Sequence, residues 1–358
     1  MNRTTAQRVQ MTATRGNARR TAWWCASFAL AAAVAGCGIS DATGVPVSTR
    51  QPCRREVMSC LARIEVTPGR FVQSYQSFPL AAGDSLVTLA VVVVHGTERN
   101  ADEYFSNMQE AATLSGRVLN TIIVAPRFVT IDDAPAADEP YWTSNGWRVG
   151  DLSNSAGPLP RISAFAAIDS VIVRLNDRTK FPRLMTIVIA GHSAGAQLVH
   201  RFAATSRIAF TFAGAQVRYV AANPSTWLYL GPERPAGSGF AIPTGVATTC
   251  PDYDDWHYGL QNRNTYANAV PPASIKQNLL TRDVVVMVGT ADTLTADLDV
   301  TCGANLQGAR RYSRGLALMS YMNALNPGNN HRLVQVPGVG HSSRTMFTSL
   351  DGRRVLFP

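Results

Sequence analysis

The chain has 358 residues, of which 46% are hydrophobic and 16% are charged, with a formal net charge of +9. That length is enough for one large folded domain. Removal of residues 1–36 takes away five arginines and no acidic residue, so the charge falls from +9 to +4. The remaining basic residues form no long run, and nucleic-acid binding is therefore not expected.

The first 37 residues predict an export signal. A basic, acid-free segment precedes an apolar stretch from Ala22 to Val34 that is too short to span a bilayer. Val34-Ala35-Gly36-Cys37 resembles a bacterial lipobox, which implies removal of residues 1–36 and lipidation of Cys37. Because Gly38 rather than aspartate follows, the outer membrane is the expected location in a Gram-negative bacterium. A plain secretory signal without lipidation is the alternative.

Residues 37–52 are predicted to be the lipidated cysteine and a polar tether, followed by a catalytic domain over 53–358. Four cysteines lie in that domain: Cys53, Cys60, Cys250 and Cys302. An even number in an exported chain suggests two disulfides, with three possible connectivities. Cys53–Cys60 would close a short loop and Cys250–Cys302 a long one, unless the thiols stay reduced. Neither pair has zinc-finger spacing, so no metal site is expected.

Apolar runs alternate with helical stretches through the rest of the chain. The runs predict strands at Phe71–Ser77, Leu86–Val94, Asn120–Ala125, Leu184–Ala190, Val217–Ala222, Val284–Val288 and Arg332–Val336. Helices are predicted at Asp102–Leu114, Arg161–Leu175, Ala194–Phe202, Gly308–Ala324 and Ser342–Ser349. Since the runs are continuous rather than alternating, the strands should be buried on both faces, as in a parallel sheet covered by helices.

The strand predicted at Leu184–Ala190 leads directly into Gly191-His192-Ser193-Ala194-Gly195. A buried strand that ends in Gly-x-Ser-x-Gly, followed by a helix, is the sequence form of a nucleophile elbow. The turn is so tight that only small residues can flank the serine, and glycine lets the strand and helix backbones approach. Ser193 is therefore predicted to be a nucleophile.

Two later strands end at the groups that a serine nucleophile needs. One is followed by Asp292 and the last one by His341. A histidine takes the serine proton, and a carboxylate fixes the imidazole tautomer. Asp299, further along the same loop, is the alternative acid. Metal binding by Asp292, Asp297 and Asp299 is not expected, because the spacing lacks the glycine and distal glutamate of a calcium loop.

The run Leu86–Val94 leads into His95-Gly96-Thr97. This segment, the elbow and the chain order serine, aspartate, histidine resemble the α/β-hydrolase superfamily over roughly residues 85–350. The resemblance implies an α/β-hydrolase fold with a mostly parallel, doubly wound sheet. It also implies an oxyanion hole formed by the N–H groups of Thr97 and Ala194.

The activity implied by the resemblance is hydrolysis of a carboxylic ester of unknown size through an acyl-enzyme, with no cofactor. A peptidase or amidase with the same triad is one alternative. A catalytically silent envelope binding protein is another.

An irregular, proline- and glycine-rich insertion at about 231–280 interrupts the alternation of strands and helices. In hydrolases of this kind, such an insertion often forms a cap over the active site. Trp256 and Tyr258 in the insertion, and Trp142 and Trp147 in an earlier loop, are candidate walls of a substrate pocket. Packing of these aromatic side chains beneath long loops is the alternative.

Overall fold

Eight strands form one mixed sheet in the computed structural model, which describes residues 50–54, 58–208 and 215–358. The predicted signal, Cys37 and the tether up to residue 49 lie outside the described residues. With a separate two-stranded hairpin, the described residues contain ten strands: β1 (Leu61–Thr67), β2 (Arg70–Gln76), β3 (Leu89–Val94), β4 (Thr121–Pro126), β5 (Thr186–His192), β6 (Gln216–Ala222), β7 (Arg234–Ala236), β8 (Gly239–Ala241), β9 (Asp283–Gly289) and β10 (His331–Val336).

The sheet order is β1-β2-β4-β3-β5-β6-β9-β10, and β7 and β8 form a separate hairpin. All neighbours from β4 to β10 in this order are parallel, whereas β1–β2 and β2–β4 are antiparallel. Along β3, Val92 and Val94 belong to one hydrophobic core and Val91 and Val93 to the other. The central strands are therefore buried on both faces, which is why they read as continuous apolar runs.

The helices that cover the sheet are α1 (Ala101–Leu114), α2 (Gly146–Val149), α3 (Ala164–Leu175), α4 (Ala194–Thr205), α5 (Val246–Thr249), α6 (Thr265–Asn268), α7 (Pro272–Thr281), α8 (Cys302–Asn305), α9 (Arg311–Leu325), α10 (Ser343–Thr348) and α11 (Leu350–Leu356). Helix α3 begins three residues later than predicted because Ser163 is its N-cap, and the Ser163 side chain accepts a hydrogen bond from the Phe165 N–H. Within the described ranges, no helix is both long and apolar enough to cross a membrane.

The predicted insertion contains the β7–β8 hairpin and the helices α5, α6 and most of α7. Helix α7 packs on α4 through Ile275 and Leu279, and Asn278 Nδ2 donates a 2.8 Å hydrogen bond to the Ala204 carbonyl. A disulfide from Cys250 to Cys302 joins the insertion to α8. The structure also contains the Cys53–Cys60 disulfide, so both bridges of the pairing considered above are present.

Candidate active site

Ser193 lies in the turn between β5 and α4, with φ 57° and ψ −120°. This conformation is rare for a residue with a side chain and marks a strained turn. A Cβ on Gly191 would lie 2.4 Å from the Gly195 backbone, and one on Gly195 would lie 2.3 Å from the Val94 carbonyl oxygen. The two glycines therefore allow β5, α4 and β3 to approach closely enough to form the turn.

His341 connects Ser193 to Asp292. Its Nε2 lies 3.0 Å from Ser193 Oγ, and its Nδ1 lies 2.7 Å from Asp292 Oδ2. With Asp292 accepting from Nδ1–H, Nε2 is free to accept the serine proton. Ser193 and Asp292 are buried, whereas the His341 side chain is 23% exposed. The structure thus brings together the three residues that the sequence predicted as a triad.

The alternative acid, Asp299, lies in a different hydrogen-bond network. Its carboxylate accepts from the Tyr258 hydroxyl at 2.8 Å and from the Thr301 hydroxyl at 2.7 Å. Burial by itself would raise the pKa of Asp299, but the hydrogen bonds from Thr301 and Tyr258 act together against burial, and the net effect lowers it. Asp299 therefore has its own partners, and Asp292 is the acid in contact with His341.

Asn223, which follows β6, links the segment after β9, which carries Asp292, to the segment after β10, which carries His341. Its Oδ1 accepts a 2.8 Å hydrogen bond from the Gly289 N–H, and its Nδ2 donates a 3.2 Å bond to the Gly340 carbonyl. A side chain on Gly289 would collide with the Val339 carbonyl oxygen, at 2.2 Å. These contacts hold Asp292 and His341 on the same edge of the sheet.

The loop after β3 is held in place by His95, which is fully buried. His95 Nε2 accepts a 2.9 Å hydrogen bond from the Phe128 N–H, so its Nδ1 carries the proton that is donated to the Gly96 carbonyl, also at 2.9 Å. Burial lowers the pKa of His95 to about 4, and the ring is therefore neutral at pH 7. This imidazole links the predicted oxyanion loop to the segment after β4.

Thr97 follows this fixed segment and lines a cavity in front of Ser193. Ala194 is the first residue of α4, so its N–H lies in the first helical turn, where no intrahelical carbonyl is available as a partner. The two backbone groups predicted to form an oxyanion hole therefore come from the loop and the helix that flank the nucleophile.

The cavity in front of Ser193 has a volume of about 240 Å³ and is lined mainly by residues of the segments 96–104 and 341–343. Three acidic residues, Glu98, Glu103 and Asp297, also line it, and among the described residues no lysine or arginine does. The nearby Arg99 side chain forms an ion pair with Asp133, with 2.6 Å between Nε and Oδ2. The cavity therefore has an acidic rim.

The aromatic residues predicted as pocket walls are not part of this cavity. Trp142 and Trp147 are 1% and 0% exposed, so their prediction as pocket residues is wrong. Trp147 stacks on Phe128 with 5.8 Å between centroids and packs on His95 at 4.7 Å. Both tryptophans form part of the core beneath the oxyanion loop, because the segment after β4 folds inward there rather than standing at the surface.

The insertion is also absent from the walls of this cavity, so the structure does not place it as a cap over Ser193. Trp256 is half-buried, and its Nε1 donates a 3.0 Å hydrogen bond to the Val149 carbonyl. Tyr258 donates its hydroxyl to Asp299. These side chains attach the insertion to the body of the domain, which corrects their prediction as walls of the pocket at Ser193.

Comparison with solved structures shows two neighbours that share the fold of this chain over most of its length. The poly(aspartic acid) hydrolase-1 from Sphingomonas sp. KT-1 is 22% identical, with a TM-score of 0.58 over 83% of this chain and 98% of that one. The LpqC poly(3-hydroxybutyrate) depolymerase from Bordetella parapertussis is 21% identical, with a TM-score of 0.56 over 80% and 86% of the two chains. The chain has the α/β-hydrolase fold. No family model matches it, and no curated protein matches it significantly.

Within this α/β-hydrolase fold, the sequence assigned no role to four residues near the Ser193–His341–Asp292 site: Tyr104, His192, Asn223 and Arg311. His192 occupies the variable position before the serine of the elbow, where the motif carries no information. The others lie far from Ser193 in sequence, on α1, after β6 and on α9. Only the topology of the sheet brings them to the site, so a local pattern could not have identified them.

Proposed function

We propose that the chain is a serine hydrolase that cleaves carboxylic esters through an acyl-enzyme at Ser193. In the first step His341 Nε2 takes the proton from Ser193 Oγ while that oxygen attacks the acyl carbon. The Thr97 and Ala194 N–H groups stabilise the oxyanion, and Asp292 stabilises the imidazolium. His341 then protonates the leaving alcohol, and water hydrolyses the acyl-enzyme by the same route.

The observation that carries this proposal is the hydrogen-bonded sequence from Ser193 Oγ through His341 to Asp292, with distances of 3.0 and 2.7 Å. Hydrogen-bond reach between nucleophile and base, with the base oriented by a third group, is the geometric signature of an activated serine. The strained φ of Ser193 adds support, since such strain concentrates at functional positions.

We also propose that the substrate is a neutral ester with a small acyl group. A cavity of about 240 Å³ is smaller than the roughly 300–1,000 Å³ of most small-molecule pockets. Its acidic rim disfavours a polyanion such as poly(aspartic acid), on which one of the structural neighbours acts. An uncharged polyester such as poly(3-hydroxybutyrate), named for the other neighbour, is compatible with that rim.

We propose export and anchoring by lipid at Cys37, with the body of the enzyme held off an envelope membrane. The basic, acid-free N-terminus and the lipobox-like Val34–Cys37 support this location. Two disulfides in the domain are typical of an oxidising compartment. Cys37→Ser should move the chain from the detergent phase to the aqueous phase, and a wild-type chain already in the aqueous phase would contradict the anchor.

A fluorophosphonate probe tests the catalytic proposal on the purified full-length chain. The wild type should be labelled, and Ser193→Ala should lose both the label and the hydrolysis of p-nitrophenyl acetate, by about 10⁴-fold or more. Ser170→Ala, within α3 and outside the cavity, is the control and should keep both. Equal labelling of Ser193→Ala would overturn the proposal. A parallel panel of amides decides between an esterase and an amidase.

A further inference from the structure

Two buried polar side chains lie beside the nucleophile without taking part in the Ser193–His341–Asp292 relay. Tyr104 in α1 and His192 at the end of β5 are 5% and 3% exposed. The Tyr104 hydroxyl lies 3.1 Å from His192 Nδ1, and both residues line the cavity. Burial of a polar group costs free energy unless the group is hydrogen-bonded. The hydrogen bond between Tyr104 and His192 offsets this cost for both side chains.

His192 supports the ring of His341. The two imidazoles pack with 4.5 Å between centroids and 39° between planes. Phe347 lies edge-on to His192 at 6.4 Å and edge-on to Tyr104 at 6.3 Å, so it encloses the pair from α10. A rotation of the His192 ring would therefore remove the surface on which the base rests.

Tyr104 restrains His192 and the oxyanion loop together. A Cβ on Gly96 would lie 2.6 Å from the Tyr104 hydroxyl and 3.8 Å from Ser193 Cβ, so the hydroxyl occupies space that only a glycine leaves open. The Tyr104 ring also packs edge-on against Phe347 of α10. One tyrosine thus contacts the loop after β3, the end of β5 and α10 from its place in α1.

Both members of the pair are neutral. Burial lowers the pKa of His192 well below its usual value, and a nearby positive charge, on Arg311 or on His341 once it is protonated, lowers it further. Burial raises the pKa of Tyr104. A charged His192 would oppose the imidazolium that His341 must form, and a neutral ring avoids this. Since His192 Nε2 has no partner among the described residues, the bond to Tyr104 is what fixes this ring.

We propose that Tyr104 is a positioning residue that acts through His192. Its hydroxyl fixes the His192 ring, and that ring keeps His341 within reach of Ser193 Oγ. The same hydroxyl packs against Gly96 of the loop after β3. The proposal rests on the hydrolase function proposed above and adds to it a second set of contacts, which orients the base through His192.

Tyr104→Phe removes the hydroxyl and keeps the ring. With p-nitrophenyl acetate we expect kcat to fall about tenfold while KM stays within about twofold, because the lost hydrogen bond orients the base rather than the substrate. Tyr266→Phe is the matched control: it loses the 2.5 Å hydrogen bond from a buried phenol to Asp169, and neither residue lines the cavity. The control should lower Tm and leave kcat unchanged.

A double-mutant cycle decides whether Tyr104 acts through His192. Tyr104→Phe should lower kcat about tenfold in the wild type and less than about twofold in a His192→Ala background. Equal losses in both backgrounds, or an unchanged kcat in the wild-type background, would overturn the proposal. If His192→Ala does not fold, His192→Asn serves as the background, since it keeps a hydrogen-bonding atom and removes the ring.

Fluorophosphonate labelling distinguishes a failure of the proposed hydrolase function from a failure of the proposed role of Tyr104. If the wild type is not labelled at Ser193, the proposed function fails. If the wild type is labelled and the cycle is additive, only the role of Tyr104 fails.

Discussion

Arg311 and Asp292 form an ion pair behind the imidazole of His341, and both side chains are completely buried. Arg311 Nη1 lies 3.5 Å from Asp292 Oδ1, while the other carboxylate oxygen contacts His341. Arg311 Nη2 also donates a 2.7 Å hydrogen bond to the Ala296 carbonyl. The guanidinium therefore orients the Asp292 carboxylate from the side opposite the histidine and ties it to the loop that follows β9.

Removal of the guanidinium should destabilise the fold, because it leaves a buried carboxylate with one partner fewer. We expect Arg311→Met to lower the free energy of unfolding by roughly 3 kcal/mol, measured by urea titration. Arg354→Met is the control, since Arg354 is 69% exposed and its pair with Asp351 spans 3.9 Å. Exposed pairs contribute about 0–1 kcal/mol. Similar losses for the two variants would contradict a stabilising role for the buried pair.

Asparagine substitutions distinguish the two candidate acids. Asp292→Asn should keep the fold but leave His341 in the wrong tautomer, and kcat should fall about 10⁴-fold. Asp299→Asn should lower kcat less than about tenfold, because Asp299 bonds to Tyr258 and Thr301 rather than to His341. Steady-state kinetics on p-nitrophenyl acetate measure both. A larger loss of kcat for Asp299→Asn than for Asp292→Asn would identify Asp299 as the acid of the triad.

The sequence could predict the central strands and the elbow because both depend on local chemistry. Continuous apolar runs such as that of β5 arise where a strand is buried on both faces, and the Gly-x-Ser-x-Gly turn needs small residues at fixed positions. Strand β1 was missed because it alternates: Ile64 and Val66 are buried, while Arg63 and Glu65 are exposed. That pattern is typical of an edge strand with one solvated face.

The surroundings of the nucleophile could not be predicted because they depend on tertiary packing. Nothing local to Trp147 reveals that its ring will stack on Phe128 beneath the oxyanion loop rather than line a pocket. Likewise, the hydrogen bond between Tyr104 and His192 joins residues 88 positions apart in the chain. Motifs identified the candidate reacting groups, whereas the side chains that contact them came only from the fold.

Buried neutral histidines should make the protein less stable in mild acid. Burial lowers the pKa of His95 and of His331 to about 4, and lowers those of His192 and His200 well below the usual value. Below about pH 6.5 these residues take up protons in the unfolded chain but not in the folded one. The unfolded state then binds more protons, so the free energy of unfolding falls as the pH drops from about 6.5 toward about 4.

Asp169 acts in the opposite direction, because burial raises its pKa to about 6 and the folded state takes up its proton first. Burial also raises the pKa of Asp151 and Asp254. These three carboxyls do not offset five buried histidines, because burial lowers the pKa of His257 as well. We therefore expect a lower free energy of unfolding at pH 5 than at pH 7, measured by urea titration. His331→Phe should reduce the slope by about 1.4 kcal/mol per pH unit within this window. Equal stability at the two pH values would contradict the prediction.

The acidic rim of the cavity should select substrates by charge. In water a carboxylate about 8 Å from a substrate charge contributes roughly 0.5 kcal/mol, with opposite signs for a cation and an anion. With screening at 0.1 M salt, three such groups should favour a cationic ester over its anionic counterpart by about tenfold in kcat/KM. The combined Glu98→Gln, Glu103→Gln and Asp297→Asn variant should lose most of that preference.

Two acetate esters that differ only in the charge on the alcohol provide the measurement. The control variant carries the same change in net charge away from the cavity, through Glu65→Gln, Asp252→Asn and Asp351→Asn, and should keep the wild-type ratio. Raising the salt concentration should reduce the preference of the wild type toward one, since the Debye length falls from about 10 Å at 0.1 M to about 3 Å at 1 M. A wild-type enzyme that hydrolyses the anionic ester as fast as the cationic one would show that the rim does not contact the substrate.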